Sequence, residues 1–137
     1  MRLYRPVSLL LAGLFAATGL VFLLIPEQVL SLFNTISTCW GMTQSPVAGS
    51  TFYVVLAVGY MYVVTVLAFL MFRHPENRTL PVLLLHAKAA SSLLSLGFFL
   101  FQDRYLIYLT NFVIDGAIAV LVLGLHLKAR KAQWASG

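Results

Sequence analysis

Two oppositely charged residues lie deep inside long apolar stretches of this 137-residue chain. Lys88 lies within a stretch that covers about 80–101, and Asp115 lies within the next one, about 105–127. Ionisable groups in such stretches are costly, so they face a protein interior, a partner or water. A lysine and a carboxylate could fix the register of two helices as a buried ion pair, or relay protons or ions. A contact with a partner subunit or with lipid is a third interpretation.

The spacing of these two residues allows them to pair. At about 1.5 Å per residue, Lys88 lies about 12 Å from the start of its stretch and Asp115 about 15 Å from the start of its own. Because only a short loop joins the two stretches, their helices are antiparallel neighbours. In a hydrocarbon core of about 30 Å the two groups then differ in height by about 3 Å. We therefore predict a Lys88–Asp115 pair near the middle of a membrane.

Uncharged polar side chains recur at helical spacing on the faces that carry this pair. One more comes from the apolar stretch at about 51–72, at a similar height. Together they could line a small polar cavity, or they could form interhelical hydrogen bonds of modest strength. Besides the pair, the predicted buried polar cluster comprises Asn111, Ser91, Ser92, Ser95, Tyr60 and Tyr108.

The remaining chemistry-bearing residues predict neither a catalytic nor a metal site. The single cysteine, Cys39, excludes an internal disulfide and a thiolate zinc site. His86 lies about 200° round its helix from Lys88 and about 9 Å inside its stretch, whereas His126 lies at the edge. A haem held by two histidines of one chain is therefore not expected. His86 is interpreted as a packing residue or as a contact with a partner or ligand.

The composition points to a membrane protein. Apolar residues make up 61% of the chain and charged residues 9%, against about 25% charged in soluble domains. This excludes an ordinary cytosolic enzyme, a nucleic-acid binder and a disordered regulator. A helix needs about 20 apolar residues to cross a bilayer, and four stretches qualify. We predict an all-α bundle of four transmembrane helices, a single domain over 1–137, with spans at about 7–25, 51–72, 80–101 and 105–127.

The segments between the spans are short, apart from an outer loop at 26–50. Its first residues, Pro26–Phe33, predict a short interfacial helix, because proline opens the first turn and the following residues are partly apolar. The rest of the loop shows no clear period, and a tail is expected at 128–137.

Lys and Arg residues are distributed unequally between the two sides of the predicted bundle. One side has Arg104 alone. The other side, which holds both termini, has Arg2, Arg5, Arg73, Arg78, Lys128, Arg130 and Lys131. An excess of Lys and Arg marks the cytoplasmic side, so both termini are predicted to be cytoplasmic in a bacterial-type inner (plasma) membrane.

Small residues at close-approach spacing predict helix contacts. Gly13 and Ala17 mark one face of the first span, and Gly116 and Gly124 mark one side of the fourth, away from Asp115. These faces indicate contact with other membrane chains or further copies of this one, or else packing within the bundle.

The segment from Gly13-Leu14-Phe15 through Pro26-Glu27 resembles the opening of DoxX-like small membrane proteins, which also have four spans in a chain of this length. The resemblance implies an accessory position beside quinone-linked oxidoreductases. It carries over no catalytic residue.

These observations predict a non-catalytic membrane subunit or assembly partner of a larger membrane complex, which could be an electron-transfer complex. One alternative is a small proton, ion or solute transporter that uses Lys88 and Asp115. Another is a redox accessory protein that binds quinone or lipid. The sequence contains no motif for hydrolysis, phosphate binding or metal ligation, which argues against an independent enzyme. No cofactor is predicted, with quinone or lipid left open, and the expected partners are the bilayer and other membrane subunits.

Overall fold

The part of the chain that the structure describes folds into five helices. A computed structural model describes residues 3–47 and 51–134, with the backbone alone at 51–52 and 130–134. Arg2, residues 48–50 of the predicted loop and residues 135–137 of the predicted tail lie outside the described residues. The helices are α1 (Tyr4–Leu24), α2 (Pro26–Cys39), α3 (Thr51–Arg73), α4 (Thr79–Phe101) and α5 (Leu106–Trp134).

Four of the five helices, α1, α3, α4 and α5, are long and apolar enough to cross a membrane. Their bounds fall within a few residues of the predicted spans at most ends. The largest difference is at the end of α5, which continues as helix to Trp134, so the first part of the predicted tail is helical. The all-α fold class with four membrane-spanning helices is confirmed.

The second helix is longer than its sequence pattern indicates. It begins at Pro26, as predicted, but continues past Phe33 to Cys39. Gly41 then adopts a positive φ of 65°, while its own N–H and that of Met42 bond back to the carbonyls of Thr38 and Ser37. This is the Schellman arrangement, which glycine adopts without steric cost. The prediction ended this helix at Phe33 because it relied on the spacing of apolar residues and did not consider Gly41 as a helix-ending residue.

The bundle consists of two closely packed helix pairs. α1 packs along α3 and α4 packs along α5, while a smaller α3–α4 contact joins the pairs. The first pair approaches closely at Gly19, where an added Cβ would lie 3.1 Å from the Met61 Cβ. The short α2 lies against α1 and α5. The shared core therefore draws on all four long helices: Tyr4, Leu11, Ala12, Phe15, Val64, Ala68, Met71, Leu84 and Val122.

One end of the bundle carries most of its exposed positive charge. There α1 begins, α3 ends, α4 begins and α5 passes residue 126. We call it the basic end, after Arg5, Arg73, Arg78 and Lys128. The opposite end carries α2 and the α4–α5 loop.

Candidate functional site

Lys88 and Asp115 form an ion pair in the interior of the bundle. The Lys88 Nζ lies 2.8 Å from the Asp115 Oδ1, and the two residues are only 1% and 2% exposed. The pair joins α4 to α5 about ten residues into each helix, and the contact between the two side chains is the one that the spacing in the sequence predicts. Because neither side chain reaches solvent, removing either one would leave the other charge buried without a counter-charge.

Two aromatic rings complete the surroundings of the Lys88 ammonium group. The Nζ lies 4.5 Å from the ring centroid of Phe15 on α1 and 5.0 Å from that of Tyr60 on α3. A cation is attracted to the faces of aromatic rings, more strongly when it is desolvated. Lys88 therefore contacts all three other long helices. We call Lys88, Asp115, Phe15 and Tyr60 the Lys88 hub.

The Tyr60 hydroxyl gives a further link between the two helix pairs. It donates a hydrogen bond to the Ala87 carbonyl at 3.0 Å, so the ring that faces Lys88 is also fixed to the backbone of α4. The small α3–α4 contact is thus reinforced next to the buried charge.

A series of polar groups continues from the hub along the α4–α5 contact toward the opposite end. The Asn111 amide donates to the Ser91 hydroxyl at 3.1 Å and to the Ser95 hydroxyl at 2.7 Å. At the next residue of α5, the Ser92 hydroxyl donates to the Phe112 carbonyl at 2.9 Å. We call Ser91, Ser92, Ser95 and Asn111 the polar seam. Its side chains bond to one another and to the backbone, as in interhelical packing.

On the side of the basic end, the core next to the hub is mostly apolar. Ser8 of α1 is buried further along, and its hydroxyl donates to the Tyr4 carbonyl of its own helix. The next core residues in that direction are apolar and almost inaccessible, and they come from all four long helices. Buried residues at this level are Leu11, Val64, Ala68, Met71, Leu84, Ala119 and Val122. In the described part of the chain, therefore, an apolar layer separates the Lys88–Asp115 pair from the basic end.

One oxygen of the pair lacks a partner. The Asp115 Oδ2 is buried and accepts no hydrogen bond from the described residues. A buried polar atom without a partner is uncommon. This oxygen could accept a proton or a hydrogen bond from an additional group.

Tyr108 does not belong to this cluster, and its assignment to it was wrong. Its ring lies 5.6 Å from that of Phe98 and 5.4 Å from that of Tyr105, measured between centroids. The residue lies in the first turn of α5, about 10 Å along the helix from Asp115. Tyr108 was included because it lies on the same face of the helix as Asp115, but this separation along the helix axis keeps it out of the hub.

His86 is exposed on the outer surface of α4. Its Nδ1 lies 2.8 Å from the Val82 carbonyl oxygen, and a carbonyl can only accept, so Nδ1 carries the proton. The Nε2 of the neutral ring is then an acceptor. Exposed residues Leu83, Ala90 and Leu93 share this surface of the helix. His86 lies about 10 Å along α4 from its first residue, within the stretch long and apolar enough to span a membrane.

The predicted contact residues fall into two groups. Gly116 faces the interior, where an added Cβ would lie 3.0 Å from the Ser92 Oγ, so of its two predicted roles it takes that of packing within the bundle. It lies beside Asp115, on the side of α5 that meets α4. Gly124 and Gly13 have no side-chain neighbour within 4 Å of an added Cβ, and Ala17 is exposed. These three leave room for another helix.

Sequence reasoning missed two features of the interior. The contact between Phe15 and Lys88 could not be inferred, because nothing in the sequence fixes how α1 is rotated. The orphaned Tyr4 hydroxyl was also missed, since a tyrosine at a span's edge is normally hydrated. The described residues bring together no three His, Cys, Asp or Glu side chains that could hold a metal ion.

Comparisons with family models, curated proteins and solved structures find no match for this chain.

Proposed function

We propose that the chain is a non-catalytic membrane subunit or assembly partner of a larger membrane complex. The observation that carries this proposal is the outward-facing His86. Polar ring nitrogens at membrane depth almost always face a bundle interior or a partner, and here the ring points away from its own bundle. Its Nδ1 is held by a backbone carbonyl, which leaves Nε2 to accept a hydrogen bond from a neighbouring chain.

The closed surroundings of Lys88 support a structural role for the buried charges. The ammonium group meets one carboxylate oxygen and two aromatic faces, and an apolar layer lies between it and the basic end. A transport path needs polar groups or water across the whole membrane. The hub therefore serves to fix the two helix pairs against each other, so that the outer surfaces of α1 and α4 keep a defined shape.

A second candidate function is a small proton transporter. It is favoured by the unpartnered Asp115 Oδ2 and by the polar seam, which continues from the hub toward the opposite end. In this alternative Asp115 would exchange protons with that side, and the apolar layer would have to open. A redox accessory role at a quinone-linked oxidoreductase, as the DoxX-like resemblance implies, would be one form of the leading proposal.

We further propose a bacterial-type inner membrane with the basic end in the cytoplasm. Support comes from the exposed cations Arg5, Arg73, Arg78 and Lys128 at that end, against Arg104 at the other. Cys39 is exposed near the opposite end. A membrane-impermeant maleimide should label it from outside intact cells, and labelling only after lysis would reverse the orientation.

Isolation of the wild-type chain in mild detergent tests the leading proposal. We expect the 15.1 kDa chain to run in a larger particle that contains at least one other membrane protein, since the packing that drives association in lipid survives mild extraction. A bare monomer that moves protons when reconstituted alone would contradict the proposal and favour the transporter.

A further inference from the structure

A small pocket opens at the basic end, away from the Lys88 hub. Its volume is about 20 Å³, which admits about one water-sized group. The pocket is formed where the start of α1, the α3–α4 loop, the first turn of α4 and the last turns of α5 come together. Its polar lining consists of Tyr4, Glu76, Asn77, Arg78 and His126.

The hydroxyl of Tyr4 has no partner in this lining. Tyr4 is 5% exposed, and its oxygen is buried without a hydrogen bond from the described residues. A buried hydroxyl normally donates to an acceptor. Tyr4 belongs to the apolar core and also lines the pocket. The Tyr4 hydroxyl is therefore a donor that an added acceptor could use.

The other groups of the lining show what kind of acceptor fits. Arg78 brings a permanent positive charge and His126 a ring nitrogen, and Glu76 is the one carboxylate in the lining. The Glu76 Oε1 lies 3.5 Å from the His74 Nδ1 in the same loop. Arg5, Arg73 and Lys128 add positive charge at this end. The balance of charge therefore favours an anionic oxygen over a neutral one.

We propose that this pocket binds the phosphate group of an anionic phospholipid, with one phosphate oxygen accepting the hydrogen bond of the Tyr4 hydroxyl. The pocket admits one oxygen, and the rest of the headgroup stays outside it beside Arg78. The exposed side chains of the α3–α4 loop move aside to let that oxygen reach the hydroxyl. Basic pockets between transmembrane helices on the cytoplasmic side are suited to such headgroups. The basic end would lie at the headgroup level of the bilayer, next to the lipid phosphates.

The test compares three additives on the purified full chain in nonionic detergent: phosphatidylglycerol, phosphatidylcholine and inorganic phosphate. We expect phosphatidylglycerol to raise the thermal midpoint of the wild type more than phosphatidylcholine does. Tyr4→Phe keeps the ring and removes only the hydroxyl, so its apparent affinity for phosphatidylglycerol should fall by about tenfold or more. Without lipid this variant should be as stable as the wild type or more so, because it removes an unpartnered polar atom.

Tyr62→Phe is the matched control, since Tyr62 is exposed on α3 and does not line the pocket. It should respond to phosphatidylglycerol as the wild type does. If inorganic phosphate stabilises the wild type as well as the lipid does, and Tyr4→Phe removes both effects, the phosphate site stands and its source is free phosphate. Equal responses of wild type and Tyr4→Phe to phosphatidylglycerol would overturn the proposal. Should Tyr4→Phe fail to fold, an undiminished response of Arg78→Gln would do the same.

Discussion

Replacing Lys88 by methionine should lower the free energy of unfolding by about 3–5 kcal/mol, because the change strands the Asp115 carboxylate in the interior. Asp115→Asn should have a similar effect, since it leaves the ammonium group with two aromatic faces and no counter-charge. The measurement is the folded fraction of each variant during denaturation in detergent. These are the largest effects that the structure predicts for single substitutions.

The double variant, with both Lys88→Met and Asp115→Asn, should recover much of this loss. Removing a whole buried ion pair is far less costly than removing half of it, and methionine fills the space of the lysine stem. Single variants as stable as the wild type would mean that the two side chains do not pair. A double variant that folds but has lost a proton flux shown by the wild type would favour the relay.

Gly116→Leu should destabilise the fold by about 1–3 kcal/mol through overpacking. At this position even a Cβ would lie 3.0 Å from the Ser92 Oγ, and Ser92 is held by its bond to the Phe112 carbonyl. A leucine would push α4 and α5 apart beside the ion pair. Thermal unfolding in detergent measures the effect.

Gly124→Leu on the same helix is the matched control. Nothing lies within 4 Å of an added Cβ there, so the fold should change by about 0.5 kcal/mol or less. If both variants lose the same stability, the close approach of α4 and α5 at Gly116 is not what sets the cost. If Gly124→Leu alone releases other membrane proteins from the isolated particle, this face of α5 belongs to the interface.

The sequence was sufficient for the fold class and the central ion pair. Long apolar stretches can only be helices at this composition, and the short loop between α4 and α5 fixes their antiparallel register. The heights of Lys88 and Asp115 then follow from the rise per residue. The polar seam was also within reach, because serine and asparagine spaced at three and four residues must share a helix face.

Features that depend on how helices rotate and pack were not predictable in this way. Gly116 was placed on a side of α5 away from Asp115, because one residue step turns a helix by about 100°. In the structure both residues meet α4. Tyr108 shares the phase of Asp115 but lies too far along the axis to contact it. The ring of Phe15 over Lys88 depends on the rotation of α1, which no local pattern records.

We propose that this chain acts through a contact with another membrane protein on the outer surface of α4. Photo-crosslinking in intact membranes tests it most directly, with a photoreactive amino acid placed at position 86 and, as a lipid-facing reference, at Val120 of α5, which is 71% exposed. We expect position 86 to give a discrete crosslinked protein band at a yield well above that at position 120. Crosslinks to lipid alone at position 86, at the same yield as at position 120, would contradict the claim.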